Sequence, residues 1–410
     1  MAAEVSVTKA RLYPRGFSLG VKWKWPLVPA RDLVTLNYGR SLKANTRRTG
    51  KVPVYGTNGQ CGWHDEPLTK GPGIVLGRKG QGPLGVEWCQ SDFWVIDTAY
   101  FASTLRPDLD LKYLYHLIKY IGLNHLKDGT SNPTLSRDSF GSQLLPVPPL
   151  SEQKVIAQIL GTLDDMVELN RRTNATLEAM ARALFQTWFV DFDPVRAKLE
   201  GRKPGGLDTA TAGLFPAHFQ DSPLGPIPQG LRVMKFGDFI KRLSVGQKYD
   251  QKSALRFGTV PVLDQGKTGV IGFHNNAPSV EATFDDPVAV FANHTCYMRL
   301  ITYSFSAIQN VLPFIGADVD TIWAYYATEG RLKFSEYKGH WPDFVIQEAV
   351  VPSRELADAF GRLAKPLVAR IRSNEEESRT LVTLRDTLLP KLLSGELRVS
   401  DSERIVEAHT

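Results

Sequence analysis

Cysteine is scarce: Cys61, Cys89 and Cys296 are the only three in 410 residues, and none shares a C-x-x-C spacing with another. That count excludes a disulfide framework and gives no zinc signature, so three free thiols in a reducing cytoplasm are expected. No run of about 18 apolar residues is present to cross a bilayer, and no basic-then-apolar leader pattern opens the chain. A phosphate-binding G-x-x-x-x-G-K-[ST] loop is also missing. So is an Asn-Pro-Pro-Tyr-like tetrapeptide that would hold an adenine amino group for methylation. Asn132-Pro133-Thr134-Leu135 lacks the ring needed to stack on a flipped base. Gly80-Gln81-Gly82-Pro83-Leu84-Gly85 spells a dinucleotide fingerprint, but Pro83 interrupts it and the strand-like Val86-Glu87-Trp88 follows where a helix must begin. His64 and His274 recur at matched positions without any accompanying acid–nucleophile set.

What is present is a repeat. Ile156, Leu163, Asn170, Leu177 and Leu184 follow one another at seven-residue steps, and 204 positions later stand Phe360, Leu367, Asn374, Leu381 and Leu388. Apolar residues stay apolar and the one polar break is Asn in both copies. A 42% hydrophobic and 22% charged composition describes a folded chain. Its net charge of +6 and pI of about 9.0 lean toward an acidic partner such as nucleic acid, or merely aid solubility.

The chain divides as globule (1–150), long helix (151–195), Pro/Gly-rich connector (196–230), globule (231–350), long helix (351–397) and tail (398–410). Both globules read as strand-rich. Pro53-Val54-Tyr55-Gly56 is echoed by Pro261-Val262-Leu263-Asp264, and Gly62-Trp63-His64 by Gly272-Phe273-His274. Ser151 is expected to cap the first helix, the connector to be extended, and Pro366 to kink or restart the second helix. About forty helical residues make a rod of roughly 60 Å. Neither rod can bury its seam alone, which predicts an antiparallel intramolecular coiled coil in a pseudo-twofold α+β protein. Asn170 and Asn374 would then lie near one level and fix the register, with solvent-facing asparagines as the alternative.

Amide-, hydroxyl- and cation-rich turns are the candidates for binding. In the first globule they are Thr57-Asn58-Gly59-Gln60, Arg78-Lys79-Gly80-Gln81 and Thr130-Ser131-Asn132. In the second they are Gln265-Gly266-Lys267, His274-Asn275, Asn293-His294 and Lys338-Gly339-His340-Trp341. Such loops bring backbone N–H groups and cations to phosphate while Arg, Gln or Asn reaches a base edge. Asp320, Glu336 and Lys338 would serve a metal-dependent nuclease, and a scaffold that binds only proteins is a third reading.

Five segments carry a resemblance: Ile74-Val75-Leu76-Gly77-Arg78-Lys79-Gly80, Leu145-Pro146-Val147-Pro148-Pro149-Leu150-Ser151-Glu152-Gln153 before the first helix, Gly213-Leu214-Phe215-Pro216 and Gly225-Pro226-Ile227-Pro228 in the connector, and Leu389-Pro390-Lys391-Leu392-Leu393-Ser394-Gly395-Glu396-Leu397 closing the second helix. In this order the chain resembles, over nearly its whole length, the specificity subunits of type I restriction–modification enzymes. The resemblance implies two target-recognition domains reading an asymmetric bipartite site in double-stranded DNA. It also implies a helix pair that sets the gap and docks two methyltransferase subunits, restriction subunits that join them, and no cofactor here. S-adenosylmethionine, ATP and Mg would belong to the partners. The second domain departs from the first: no Arg-Lys pair matches Arg78-Lys79, and Lys338-Gly339-His340-Trp341-Pro342 replaces Asp128-Gly129-Thr130-Ser131-Asn132-Pro133.

Overall fold

The computed structural model describes residues 24–266 and 269–397, so Lys267, the expected tail and the first 23 residues lie outside it. It forms two compact units. Unit 1 joins Met1–Leu169 to Glu377–Thr410, and unit 2 is Asn170–Glu376. The boundaries fall inside the two long helices, Leu150–Phe189 and Arg354–Ser394, so each unit holds one globule and a length of each helix.

The globules repeat one topology. Unit 1 has an antiparallel sheet in the order Val34–Tyr38, Ala99–Thr104, Gly73–Gly77, Val86–Cys89. A second sheet orders Gly59–His64, Val52–Gly56 and Trp94–Val95, with its last pair parallel. Unit 2 reproduces the first as Ile240–Arg242, Val311–Gly316, Val288–Ala292, Met298–Ile301. It reproduces the second as Val270–His274, Val260–Leu263, Ser306–Ala307, and the register shift recurs at Val54/Tyr55 and Val262/Leu263.

The five-residue strands Gly73–Gly77 and Val288–Ala292 are buried throughout. Side chains alternate between the faces of a strand. Ile74 and Leu76 therefore enter the core shared with the helices, while Val75 packs with Tyr55, Phe93 and Val95 on the opposite side. In unit 2, Ala289 and Phe291 take the helix side and Val288 and Val290 the other. With both faces covered, the strand must be apolar end to end.

Each globule presents one helix to the long helices. Leu111–Ile121 is capped by Asp110, whose carboxylate accepts from Tyr113 N–H at 2.8 Å. Thr321–Thr328 is capped by Asp320 through Trp323 N–H at 3.0 Å. In unit 1, Leu114, Leu117 and Ile118 share a core with Ile156, Leu160 and Leu163 of the first long helix and Leu381, Leu388 and Leu392 of the second. In unit 2, Trp323 meets Phe189, and Phe360 of the second long helix packs edge-on against Phe185 and Phe189.

Within unit 2 the helices run antiparallel: Phe189 lies beside Phe360, and Asn174 beside Asn374. Asn170 and Asn374 are both buried, but Asn374 Nδ2 donates to Asn174 Oδ1 at 2.7 Å, and Asn174 Nδ2 donates to the Ile371 carbonyl at 3.3 Å. Asn174, which accepts from Asn374, is one helical turn beyond Asn170.

Three local expectations change. Ser151 lies inside the first helical turn, which begins at Leu150. The neighbouring Gln153, fully buried, accepts from Asp110 N–H and donates to the Asp108 and Pro148 carbonyls, tying the globule to the helix. Pro366 does not interrupt Arg354–Ser394. It and Arg362 are exposed, so the carbonyl it leaves unpaired faces water. The first long helix stops at Phe189 and a separate helix, Asp193–Leu199, leads into the connector, which is packed rather than extended: it holds the helix Thr209–Gly213 and a strand pair, and Phe215 and Ile227, with Val195 just before it, anchor it in the unit 2 core.

A polar junction interrupts the apolar packing of unit 1. Arg385 and Asp164 pair at 2.6 Å, and Arg385 also meets Asp386 at 2.8 Å. His116 is 2% exposed, its Nδ1 is 3.7 Å from Asp164, and its Nε2 has no hydrogen-bond partner among the described residues. These residues line a cavity of about 580 Å³ with Glu87 and Lys119. Unit 2 has an Arg182–Glu329 ion pair, with Glu178 also bonded to Arg182.

Phe360→Ala should lower the unfolding free energy by about 3–5 kcal/mol, measured by urea denaturation, because it empties the centre of an aromatic cluster. Burial depresses the His116 pKa to about 3 from 6.5, so the folded state holds it neutral. The associated stability is complete above pH 6.5 and is lost as the pH falls toward 3. Between pH 6 and 5 the parent chain should lose roughly 1 kcal/mol more stability than His116→Gln.

Candidate nucleic-acid interface

In unit 1 the three loops singled out in the sequence converge. Thr57 shares its hydroxyl proton between the carbonyls of Lys79 at 2.9 Å and Thr98 at 3.0 Å. Gln81 Nε2 donates to the carbonyls of Thr130 and Ser131 at 2.9 and 3.0 Å. Lys79 forms a bridge with Thr134, and Gly80 N–H donates to the Pro133 carbonyl at 3.0 Å. Gly77 ends the buried strand against this cluster. A Cβ there would lie 2.2 Å from the Thr57 carbonyl oxygen, so only glycine permits the approach.

Lys127 fastens the glycine-rich turn, donating to the carbonyls of Gly80 and Gly82 at 3.1 and 3.0 Å. Asn58, Gln60, Gln81, Thr130, Ser131 and Asn132 remain exposed around it, and Lys79 is half-buried. Arg78 is more committed than expected. Its guanidinium lies 4.7 Å over Tyr38 and 5.5 Å from Tyr100, and Nη1 donates to the Asp97 carbonyl. Arg137 covers Tyr38 at 4.1 Å, completing a cation–aromatic stack at the edge of the cluster. Tyr38, Lys127 and Arg137 were missed because each stands alone among ordinary residues in the sequence and joins the loops only through the fold.

Unit 2 builds the same cluster with other residues. The turn after the buried strand is Asn293-His294, the counterpart of Arg78-Lys79. Gln265 Oε1 accepts from His294 N–H at 2.9 Å, and His294 Nδ1–H donates to the Lys338 carbonyl at 2.8 Å. Asn293 ties in the third loop: its Oδ1 accepts from Trp341 N–H and its carbonyl from His340 N–H. Gln265, Asn293, His294, Lys338 and Trp341 are therefore brought together.

The fold removes some of these from contact chemistry. His274 is 3% exposed: Nδ1 accepts from Asn276 N–H, Nε2–H donates to Ser306 Oγ, and Tyr249 stacks on the ring at 4.2 Å. Burial lowers its pKa, so it is a neutral linker between strands; His64, at the matching position, is buried beside Trp94. Asn275 follows His274, and its Oδ1 accepts from Thr259 N–H at 3.2 Å, away from the loop cluster's bonds. Trp341 packs on Phe291 and Phe344, and Asn293 is spent on loop closure.

The nuclease set is not assembled. Asp320 is half-buried and serves as a helix cap, with its pKa raised by burial. Lys338 is occupied by Asp343 and Glu336, which raise its pKa. Among the described residues no cluster of three His, Cys, Asp or Glu side chains could hold a metal ion, and no helix is long and apolar enough to cross a membrane.

Comparison with known proteins gives one family. Residues 22–179 match the type I restriction modification DNA specificity domain. The chain is 25% identical over 328 residues to the MjaIX type I restriction enzyme specificity subunit of Methanocaldococcus jannaschii, covering 71% of this chain and 70% of the relative. It is also 25% identical over 328 residues to the HindI specificity subunit of Haemophilus influenzae, covering 65% and 71%. Among solved structures, the type I S subunit from M. genitalium shares the fold, with a TM-score of 0.57 at 17% identity over 92% of this chain and 98% of that one.

Proposed function

We infer that this chain, which belongs to the specificity-subunit family of type I restriction–modification enzymes, selects the DNA target for a complex whose chemistry is carried out by other subunits. One observation carries the reading: the same three loops gather at the end of the same buried strand in both globules, yet nearly every exposed side chain on them differs. A shared frame with unlike loops suits the recognition of two unlike half-sites in double-stranded DNA. Lys79, Asn58, Gln60, Gln81, Thr130, Ser131 and Asn132 serve one half. Gln265, His294 and Lys338 serve the other, with Lys267 beside them in sequence.

Phosphate contacts supply most of the affinity and base-edge contacts decide the sequence. The recognition domains span 1–150 and 231–350, and the spacer segments 151–195 and 351–397, built on the long helices Leu150–Phe189 and Arg354–Ser394, set the unread gap. Forty residues rise about 60 Å, against about 34–36 Å for one DNA turn. The helices also dock two methyltransferase subunits, to which restriction subunits add. S-adenosylmethionine, ATP and Mg act in those partners, and this chain needs no cofactor to choose a sequence. Cytoplasmic placement follows from the DNA target.

Methylome sequencing of cells carrying this chain and its methyltransferase should reveal one gapped, bipartite adenine motif that disappears when the chain is deleted. A methylome indifferent to the deletion would refute the reading. Lys79→Ala should weaken cognate binding and reduce the slope of log affinity against log salt by about 1, since one phosphate contact is lost. Its thermal unfolding midpoint should not move, because no folded-state bond to that ammonium is lost. Replacing Arg78 together with Lys79 by Ala should weaken binding further and also disturb the Tyr38 stack.

A further inference from the structure

Tyr337 is 84% exposed, more than any other large apolar side chain among the described residues. A ring that open gains almost nothing from folding, since stabilisation of an aromatic scales with the surface it removes from water. It is nevertheless oriented. Its ring lies 4.9 Å from that of His294, at an interplanar angle of 11°. His294 is fixed from two sides, by Gln265 through its backbone N–H and by the Lys338 carbonyl through Nδ1–H. The platform under Tyr337 is thus preorganised, and its other face is open.

We propose that Tyr337, stacked on His294, inserts its free face against a base in the half-site read by unit 2 and partly unstacks the adjoining step. This rests on the DNA-reading function above and specifies how one of the two globules carries it out. The neighbouring Lys338 follows the ring on the same loop, its ammonium paired with Glu336 and Asp343. Aromatic platforms stack on any base, and inserted side chains open a step that is already easy to deform. Unit 1 offers no ring here: its corresponding turn is Gly129-Thr130-Ser131-Asn132, and its counterpart of His294 is Lys79. The two half-sites are therefore engaged by different physics, hydrogen bonding and charge in one and stacking in the other.

The test uses the full chain assembled with its methyltransferase subunits on the cognate duplex. 2-Aminopurine is placed at successive positions of the unit 2 half-site. The parent complex should give a fluorescence rise at a position other than the methylated adenine. Tyr337→Ala should abolish that rise and weaken binding roughly tenfold, whereas Tyr337→Phe and Tyr337→Trp should retain both. A rise at the methylated adenine should persist in every variant. Unchanged affinity and fluorescence in Tyr337→Ala would overturn the proposal, as would failure of Phe and Trp to rescue, which would assign the effect to the hydroxyl. If the parent complex binds no sequence selectively, the function proposed above fails instead, whatever the variant does.

Discussion

A strand without a polar face governs the layout of each unit. Gly73–Gly77 and Val288–Ala292 must be covered on both sides, because their side chains alternate between two cores and none can meet water without loss. The helix layer takes one side and the three-stranded sheet the other. What remains for the chain is to leave the strand at its end, and there Gly77 passes so near the Thr57 carbonyl that no side chain fits. The candidate loops are gathered at that exit, where Thr57 bonds to the Lys79 carbonyl and Gln81 to those of Thr130 and Ser131.

Much of this was legible in the sequence, for stated physical reasons. Seven-residue spacing marked both long helices, and none of the ten seam positions is exposed. The echoes of Pro53-Val54 in Pro261-Val262 and of His64 in His274 marked a duplicated sheet, and those pairs occupy equivalent strands. Local pattern could not give side-chain partnership across long separations. The heptad placed Asn374 in the seam but could not show that Asn174, 200 residues away, would accept from its Nδ2. Nor could it show that Trp341 and Asn293 are consumed in closing a loop, or that Tyr38, Lys127 and Arg137 join Arg78 and Gly80. The connector was misjudged because its prolines and glycines outnumber its anchors, whereas Val195, Phe215 and Ile227 suffice to pack it.

The duplicated frame also explains how unlike surfaces coexist with a common core. Asp110 and Asp320 cap equivalent helices, and the strand order is identical. The loops are released from that constraint. Lys127 holds the first cluster by donating to turn carbonyls, whereas the second is held by amide and imidazole bonds from Asn293, Gln265 and His294. Each device stiffens a turn without dictating the residues that project from it.

The discontinuity of unit 1 has a bearing on biosynthesis. Its core requires Leu381, Leu388 and Leu392, which leave the ribosome more than 200 residues after Ile156, Leu160 and Leu163. Unit 2 is one uninterrupted stretch and can close first. The earliest-made globule is thus the last to be sealed, and until then its apolar helix face stays open to solvent and to chaperones. Nascent chains arrested before the second helix emerges would lack Leu381, Leu388 and Leu392, leaving Ile156, Leu160 and Leu163 without those partners.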